Sequence, residues 1–290
     1  MRRTSARIFP RVCWPDPLTL PLAGRVVHGI VASGGMEHSE DLGATARFFD
    51  RAIREVAGFA RAGKVRVLDF GCGAGELVGH LLALGYDAHG CDIVLASDAP
   101  GVAAAAQRFR QIEQAPYRLP YEDASFDVVL STSVLEHARN PEEYLLEIRR
   151  VLAPGGVAMH LLPGKWYLPY EPHIRVPLAN YFYPSCPSWW FGFWMLVGKR
   201  HPHHKDLHWR EAVQACRDFY DHGVFYLSTR EHERLSRAVF GNCEWPMTFY
   251  ITHGHGGFAR LCRRLPMRRV WGALSREFRM GFLVQRKQAA

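Results

Sequence analysis

The sequence predicts an α/β fold built on a doubly wound, mostly parallel sheet. A short apolar run at residues 65–70 ends in three glycines, Gly71, Gly73 and Gly75, and leads into a segment with apolar residues at helical spacing. Strand, glycine loop and helix in this order open a nucleotide-binding fold, in which the glycines let the backbone approach a ligand closely. Apolar runs and helical patterns then alternate through Leu162, which predicts parallel strands with right-handed crossovers.

The elements of this fold can be read along the chain. Residues 1–38 are predicted to form an irregular arm, and residues 39–290 the main domain. Ser39 is expected to cap the first helix, and Asn140 the helix after the fourth strand. The predicted elements are, in order, helix 39–61, strand 64–70, helix 76–84, strand 86–93, helix 102–109, strand 110–113, strand 126–131, helix 141–152, a turn at 154–156 and strand 157–162.

Composition and charge limit the classes of protein to which this chain can belong. The chain has 290 residues, of which 48% are hydrophobic and 22% charged, as in an ordinary globular enzyme. A formal net charge of +8 suits an acidic partner or an anionic membrane surface without proving either. Seven irregularly spaced cysteines without a CxxC pair argue against a disulfide framework or a zinc finger. A reducing, cytoplasmic setting is the simplest interpretation.

An aromatic segment follows the fifth strand. Residues 164–225 are interpreted as an insertion, and within it residues 177–198 hold no charged side chain but eight aromatic ones. Pro184 and Pro187 interrupt this stretch, which argues against a membrane-spanning helix. A lid that shapes the acceptor site and additional core are the two alternatives.

Three segments carry a family resemblance. VLDFGCGAGEL at 67–77, Asp92 after the second strand, and the long segment at 119–163 that contains STSVLEH and APGG resemble the class I S-adenosylmethionine-dependent methyltransferases. Within that family the chain is most similar to the type 11-like subgroup, which includes ubiquinone-pathway and small-molecule methyltransferases. The resemblance covers about residues 61–163. It implies a Rossmann-like methyltransferase fold and S-adenosylmethionine as cofactor, and it says little about the acceptor.

The residue chemistry agrees with this cofactor. The third glycine comes one residue earlier than in the GxGxxG loop that binds a pyrophosphate, and S-adenosylmethionine has no phosphate. Asp69 is placed to receive the ammonium group, and Asp92 to accept the ribose hydroxyls. The acid that the family usually places before Leu119 to hold the adenine is missing, so Gln114 or Glu113 is expected to substitute. The expected cofactor-binding residues are Asp69, Gly71, Cys72, Gly73, Gly75, Asp92, Ile93, Gln114 and Ser131.

Two histidines are candidates for a general base. His137 follows the fourth strand, at the sheet edge where ligands bind, and is narrowly the first candidate. His173 lies in the insertion, where Glu171 could orient its imidazole. A structural role is the alternative for both. Trp166, Tyr167, Glu171 and Trp190 are the expected substrate-binding residues.

Two further patterns are interpreted as structural. His201, His203, His204 and His208 form a dense cluster. The cluster lacks an HExxH motif and contains Pro202, so a surface loop is favoured and no metal site is predicted. The basic, partly apolar tail from Arg260 could contact a membrane or a nucleic acid. A helix and a final strand packed on the sheet are favoured there, and no nucleic-acid partner is expected.

The sequence therefore predicts a methyltransferase that acts on a small or lipid-like acceptor, with O-methylation preferred. The alternatives are N- or C-methylation of a metabolite and a catalytically silent cofactor-binding scaffold at a membrane. A cytoplasmic location is expected, with peripheral membrane contact through the aromatic and basic segments as an alternative. The oligomeric state and the acceptor are not specified by the sequence.

Overall fold

One six-stranded sheet organises the computed structural model, which describes residues 42–60, 65–113, 117–199 and 204–289. The strands are β1 (Arg66–Phe70), β2 (Asp87–Asp92), β3 (Phe109–Gln111), β4 (Phe126–Thr132), β5 (Leu152–Pro163) and β6 (Met280–Arg286). Their order across the sheet is β3-β2-β1-β4-β5-β6. The first five are parallel, and β6 pairs antiparallel with β5. The predicted doubly wound, mostly parallel α/β fold is confirmed.

Helices of very different lengths connect and cover the strands. They are α1 (Leu42–Glu55), α2 (Glu76–Ala83), α3 (Pro100–Ala103), α4 (Pro141–Val151), α5 (Ser188–Leu196), α6 (Trp209–His222), α7 (Thr229–Phe240), α8 (Met247–His253), α9 (Gly257–Cys262) and α10 (Arg268–Phe278). In the tail, α10 and β6 confirm the predicted helix and final strand. The predicted arm at 1–38 and the capping role of Ser39 lie outside the described residues.

Several predicted boundaries are wrong for identifiable reasons. The first helix ends at Glu55 rather than 61, because Gly58 takes a positive φ of 83° that a helix cannot contain. The predicted helix 102–109 is only the four-residue α3 and a 3₁₀ turn, because Phe109 already pairs with Gly90 in the sheet. The predicted turn at 154–156 lies within β5, where the Gly155 amide donates to the Lys287 carbonyl.

The prediction that the Asn140 side chain caps α4 is also wrong, although the residue lies at the predicted position. Asn140 occupies the N-cap position of α4, but its side chain makes no capping hydrogen bond. Pro141 fills the first helical position, where its fixed φ suits the helix and its missing N–H costs nothing.

The two faces of the sheet carry separate hydrophobic clusters. On one face α1, α2, α8 and α9 pack against alternate strand residues, and the Phe48 ring lies 5.0 Å from the Phe282 ring, centroid to centroid. On the other face α4 and α7 contribute Tyr144, Ile148 and Phe240. Fully burying one such large side chain contributes about 1.5–3 kcal/mol. Burial on both faces explains why the strands read as nearly continuous apolar runs.

A third cluster lies within the insertion and the residues that follow it. Phe191 and Met195 of α5 pack with Phe219 of α6, and all three are buried. On the opposite side of α5, Trp189 is 66% and Leu196 is 66% exposed. The aromatic stretch therefore supplies core on one side and an exposed apolar surface on the other. Within the described residues, every helix is too short or too polar to cross a membrane.

Candidate active site

The glycine loop after β1 is fixed by backbone hydrogen bonds to β2. The Gly71 and Cys72 amides donate to the Cys91 carbonyl at 2.8 and 3.1 Å, and Gly75 donates to Cys72 at 2.8 Å. Gly71 has a φ of 83°, and a Cβ built on it would overlap the side chain of Val134. Only glycine fits this position, so the loop packs directly against the turn that follows β4.

Two carboxylates border this loop. Asp92 accepts the Gly73 amide at 2.8 Å and the Val94 amide at 3.2 Å. Asp69 is buried, and burial together with the charge of Asp92 raises its pKa to about 7. A buried acid with a raised pKa lacks a compensating cation, which fits the ammonium group of an amino acid ligand. Asp92 is a carboxylate, the type of acceptor that the ribose hydroxyls of the cofactor require.

Cys72 and Ile93, two more of the expected cofactor-binding residues, differ in burial and in their contacts. The Cys72 side chain is buried and lies where a Cβ on Gly90 would overlap it, so it packs beneath the loop. Ile93 is partly exposed, and its carbonyl accepts from the Gln111 side chain at 3.2 Å. Gln114 lies outside the described residues.

Ser131 belongs to a buried polar chain that the sequence analysis did not anticipate. Its hydroxyl donates to His160 Nδ1 at 2.7 Å, and His160 Nε2 donates to the Gln285 side-chain oxygen at 3.1 Å. Gln285 in turn donates to the Ser236 hydroxyl at 2.7 Å. Burial lowers the pKa of His160 to about 3, so this imidazole is neutral near pH 7. The Ser131 side chain is thus engaged inside the sheet.

The structure brings the two candidate bases together. The rings of His137 and His173 are edge-to-face, with centroids 4.8 Å apart. His137 ends the 3₁₀ turn after β4, and its Nδ1 lies 2.7 Å from the Gly223 carbonyl. A carbonyl oxygen only accepts, so Nδ1 must carry the proton and Nε2 the lone pair. The predicted positions of both histidines at this edge of the sheet are therefore compatible with one site.

Glu171 holds His173 in place, as its position two residues earlier suggested. Its Oε1 accepts from His173 Nδ1 at 2.7 Å and from the Tyr226 hydroxyl at 2.6 Å. Its Oε2 accepts the backbone amides of His173 and Ile174, each at 2.7 Å. All of these groups are buried. The buried Nε2 of His173, in contrast, has no hydrogen-bond partner among the described residues.

The two imidazoles differ in basicity. Burial alone would lower the pKa of His173, but the charge and hydrogen bond of Glu171 outweigh it and raise that pKa above its usual 6.5. Burial and the neighbouring charge of His173 lower the pKa of His137 to about 3. Of the two imidazoles, His173 is therefore the one that takes up a proton first as the pH falls.

Several residues of this cluster were missed by sequence reasoning. Glu136 is 4% exposed and directly precedes His137. An acid next to a candidate base was the sequence feature that could have identified Glu136 as part of the site. Gly223, Tyr226 and Phe219 come from the end of α6 and the segment after it. No sequence pattern links them to His173, because only the folding of the insertion brings them there.

The expected substrate-binding aromatics do not join the histidine pair directly. The Trp166 ring packs on Tyr181 at 5.6 Å, and the Arg279 guanidinium lies 5.2 Å from the Tyr167 ring centroid. Trp190 donates to the Pro177 carbonyl at 2.8 Å and packs within the third cluster. Glu171, by contrast, is hydrogen-bonded directly to His173.

The histidine cluster before α6 is only partly a surface loop. His204 is buried, with Nδ1 3.9 Å from the Cys216 sulfur, so the surface interpretation is wrong for this residue. His208 is exposed and takes part in the N-terminal capping box of α6 with Glu211. His201 and His203 lie outside the described residues.

Comparison with known proteins places the glycine loop and the turn after β4 in one domain. Residues 68–160 match the family model described as a methyltransferase domain. Ubiquinone biosynthesis O-methyltransferase of Roseobacter denitrificans is 36% identical over 99 residues, which cover 32% of this chain and 39% of that protein. Norajmaline N-methyltransferase of Rauvolfia serpentina is 31% identical over 121 residues, covering 39% of this chain and 41% of that protein. The match thus spans about two fifths of these relatives' lengths.

One solved structure also aligns over most of the chain. It is an S-adenosylmethionine dependent methyltransferase from Mesorhizobium loti, 15% identical, with a TM-score of 0.47. The alignment covers 82% of this chain and 95% of that one.

Proposed function

We propose that this chain, which carries a class I S-adenosylmethionine-dependent methyltransferase domain at residues 68–160, methylates an oxygen atom of a small or lipid-like acceptor. The family and the cofactor predicted from the sequence are confirmed. The acceptor and the attacked atom are the proposal. Relatives named for O-methylation and for N-methylation both occur among the matches, so the names favour oxygen only weakly.

The observation that carries the proposal is the position of the histidine pair relative to the glycine loop. Val134 packs against Gly71, and His137 follows three residues later in the same turn. Methyl transfer is an in-line displacement for which the protein mainly supplies alignment. A hydroxyl acceptor must also lose a proton, and an imidazole of the pair that includes His137, on the turn that contacts the cofactor loop, can take it.

The pKa directions favour His173 over His137 as the group that takes this proton. His137 is neutral, but an imidazole with a pKa of about 3 is a weak base near pH 7. Glu171 raises the pKa of His173, which makes its neutral form the stronger proton acceptor. We propose that His173 acts as base and that His137, held by the Gly223 carbonyl, positions the acceptor.

The acceptor can be identified by an experiment that does not assume a particular acceptor molecule. The purified protein is incubated with lysate fractions and methyl-labelled S-adenosylmethionine, and labelled products are identified by mass spectrometry, which also locates the methylated atom. Asp69→Asn serves as the background control, because it removes the expected partner of the cofactor's ammonium group. A label on nitrogen or carbon would replace the O-methylation proposal. Cofactor binding without any labelled product would favour the silent scaffold.

The base assignment has its own test. His173→Asn is expected to lower turnover about 10²–10⁴-fold and to abolish the rise of the rate with pH, while cofactor affinity stays nearly unchanged. His137→Asn should reduce turnover but keep that pH dependence. A loss of the pH dependence in the His137 variant alone would reverse the two roles.

Other parts of the functional prediction stay proposals. We place acceptor-shaping residues at Trp166, Tyr167 and Trp190 because the insertion that contains them also supplies Glu171 and His173. The exposed apolar side of α5 supports a lipid-like acceptor or a peripheral membrane contact. A cytoplasmic location stays a prediction.

A further inference from the structure

We propose that Glu136, His137 and His173 form a binding site for one divalent transition-metal ion. Each residue offers one ligand atom, and the three atoms all lie within 4.8 Å of one another. Two of the residues come from the turn after β4 and the third from the insertion. The site would therefore join the cofactor-binding domain to the segment that the family match does not cover.

The ligand chemistry selects the class of ion. Two imidazoles and one carboxylate are ligands that zinc, manganese and ferrous iron accept, and three protein ligands leave one or more positions open. Metal–ligand bonds of about 2.0–2.2 Å place ligand atoms roughly 3–3.5 Å apart. Metal binding would therefore have to draw the most widely separated ligand atoms together by roughly 1–2 Å.

The groups behind the two imidazoles support this assignment. His173 Nδ1 donates to Glu171 at 2.7 Å, and His137 Nδ1 donates to the Gly223 carbonyl at 2.7 Å. Both contacts leave Nε2 as the coordinating atom and fix the ring orientation. A carboxylate or carbonyl behind a ligating imidazole is the usual support of a metal site in proteins.

The hydrogen bonding of His173 independently supports a ligand at the same place. The Nε2 atom of His173 is buried and has no hydrogen-bond partner among the described residues. Leaving a buried polar atom unsatisfied costs about 1–3 kcal/mol. Coordination to a cation removes this cost. The buried carboxylate of Glu136 would contribute the negative charge that a divalent ion requires.

A bound ion would change which group activates the acceptor. As a Lewis acid it would lower the pKa of an acceptor hydroxyl, so that the hydroxyl proton would be lost to solvent water rather than to a free His173. Binding itself does not depend on the proposed methyl transfer. The metal site and the enzyme activity can therefore fail independently.

Cobalt is the probe for the first experiment. The full chain is stripped with a chelator, dialysed and titrated with Co²⁺, whose visible absorption reports inner-sphere ligands, and Zn²⁺ affinity follows from displacement. We expect one ion per chain. Glu136→Gln and His173→Asn should abolish the absorption, and Glu171→Gln should weaken binding about 10–100-fold. His80→Ala removes an exposed histidine and is the matched control, with unchanged binding expected.

Two further measurements keep the result interpretable if a variant folds poorly. Zinc should raise the melting temperature of the wild-type protein, because it binds the folded state, and it should not raise that of the Glu136 and His173 variants. X-ray absorption of the wild-type cobalt complex should show nitrogen and oxygen ligands. Sulfur ligands, equal binding in the variants, or no binding at micromolar metal would each overturn the proposal.

Discussion

Replacing Glu171 by glutamine tests the arrangement on which both proposals at the histidine pair depend. The side chain keeps its shape, and its carbonyl oxygen can still accept the amides of His173 and Ile174. The new amide group then faces Tyr226 and His173 Nδ1. The Tyr226 hydroxyl can rotate and become an acceptor, but His173 must shift its proton to Nε2 and lose its charge.

The magnitude follows from the bond that is lost. The contact between His173 Nδ1 and Glu171 Oε1 is a buried, charge-assisted hydrogen bond of 2.7 Å, and such bonds contribute about 1.5–3 kcal/mol. We expect Glu171→Gln to lower the free energy of unfolding by about 2–3 kcal/mol near pH 6. Exposed Glu122→Gln is the control and should change it by less than about 0.5 kcal/mol.

The effect should depend on pH in a defined direction. The pKa of folded His173 is raised above 6.5, so its stabilisation is complete below that pH and is lost as the pH rises through the folded-state value. The pKa of Glu171 is lowered below 4.5, so its contribution persists until the pH falls through that lower value.

Urea unfolding followed by circular dichroism at about pH 6 and about pH 9 measures the difference between wild type and variant at both ends of this range. The difference should shrink at the higher pH, where His173 is neutral and the variant loses its hydrogen bond to the carboxylate but no longer an attraction between opposite charges. An equal difference at both pH values would refute an ionised His173.

Three more predictions concern the cofactor loop and the insertion. Asp92→Ala should weaken S-adenosylmethionine binding by about 1–3 kcal/mol in calorimetry, because the ribose hydroxyls lose a charged acceptor; an unchanged affinity would remove Asp92 from the site. Cofactor affinity should rise with pH up to about 7, because Asp69 must ionise to bind an ammonium group, and Asp69→Asn should remove this dependence. Trp190→Ala should impair acceptor use more than cofactor binding if the insertion is a lid, whereas an equal loss of thermal stability with and without acceptor would indicate core alone. Exposed Trp189→Ala is the matched control in thermal melts and should change stability little.

The central part of the fold could be predicted because local chemistry specifies it. Buried parallel strands give continuous apolar runs, and glycines at 71, 73 and 75 mark the turn that β1 and α2 require. The errors occur where a longer-range contact decides. Phe109 looked helical in its own segment but pairs with Gly90, and Gly155 looked like a turn but pairs with Lys287.

The candidate site likewise has a part that could be predicted from the sequence and a part that could not. Asp69 and Asp92 lie at the carboxyl ends of β1 and β2, and His137 lies shortly after β4. Because these strand ends converge at one edge of the sheet, the neighbourhood of the three residues follows from the fold class. His173 and Tyr226, in contrast, are in contact although they are 53 residues apart in the sequence. That arrangement required the packing of α5 on α6, which no local pattern specifies.

The contact between Gly71 and Val134 has a consequence for acceptor binding. The backbone of the cofactor loop lies so close to Val134 that a single methyl group at Gly71 would collide with it. S-adenosylmethionine bound on this loop would therefore immobilise the turn that also bears Glu136 and His137. An acceptor that arrives afterwards would meet a turn already held in place, so part of the alignment that methyl transfer requires would be complete before the acceptor binds.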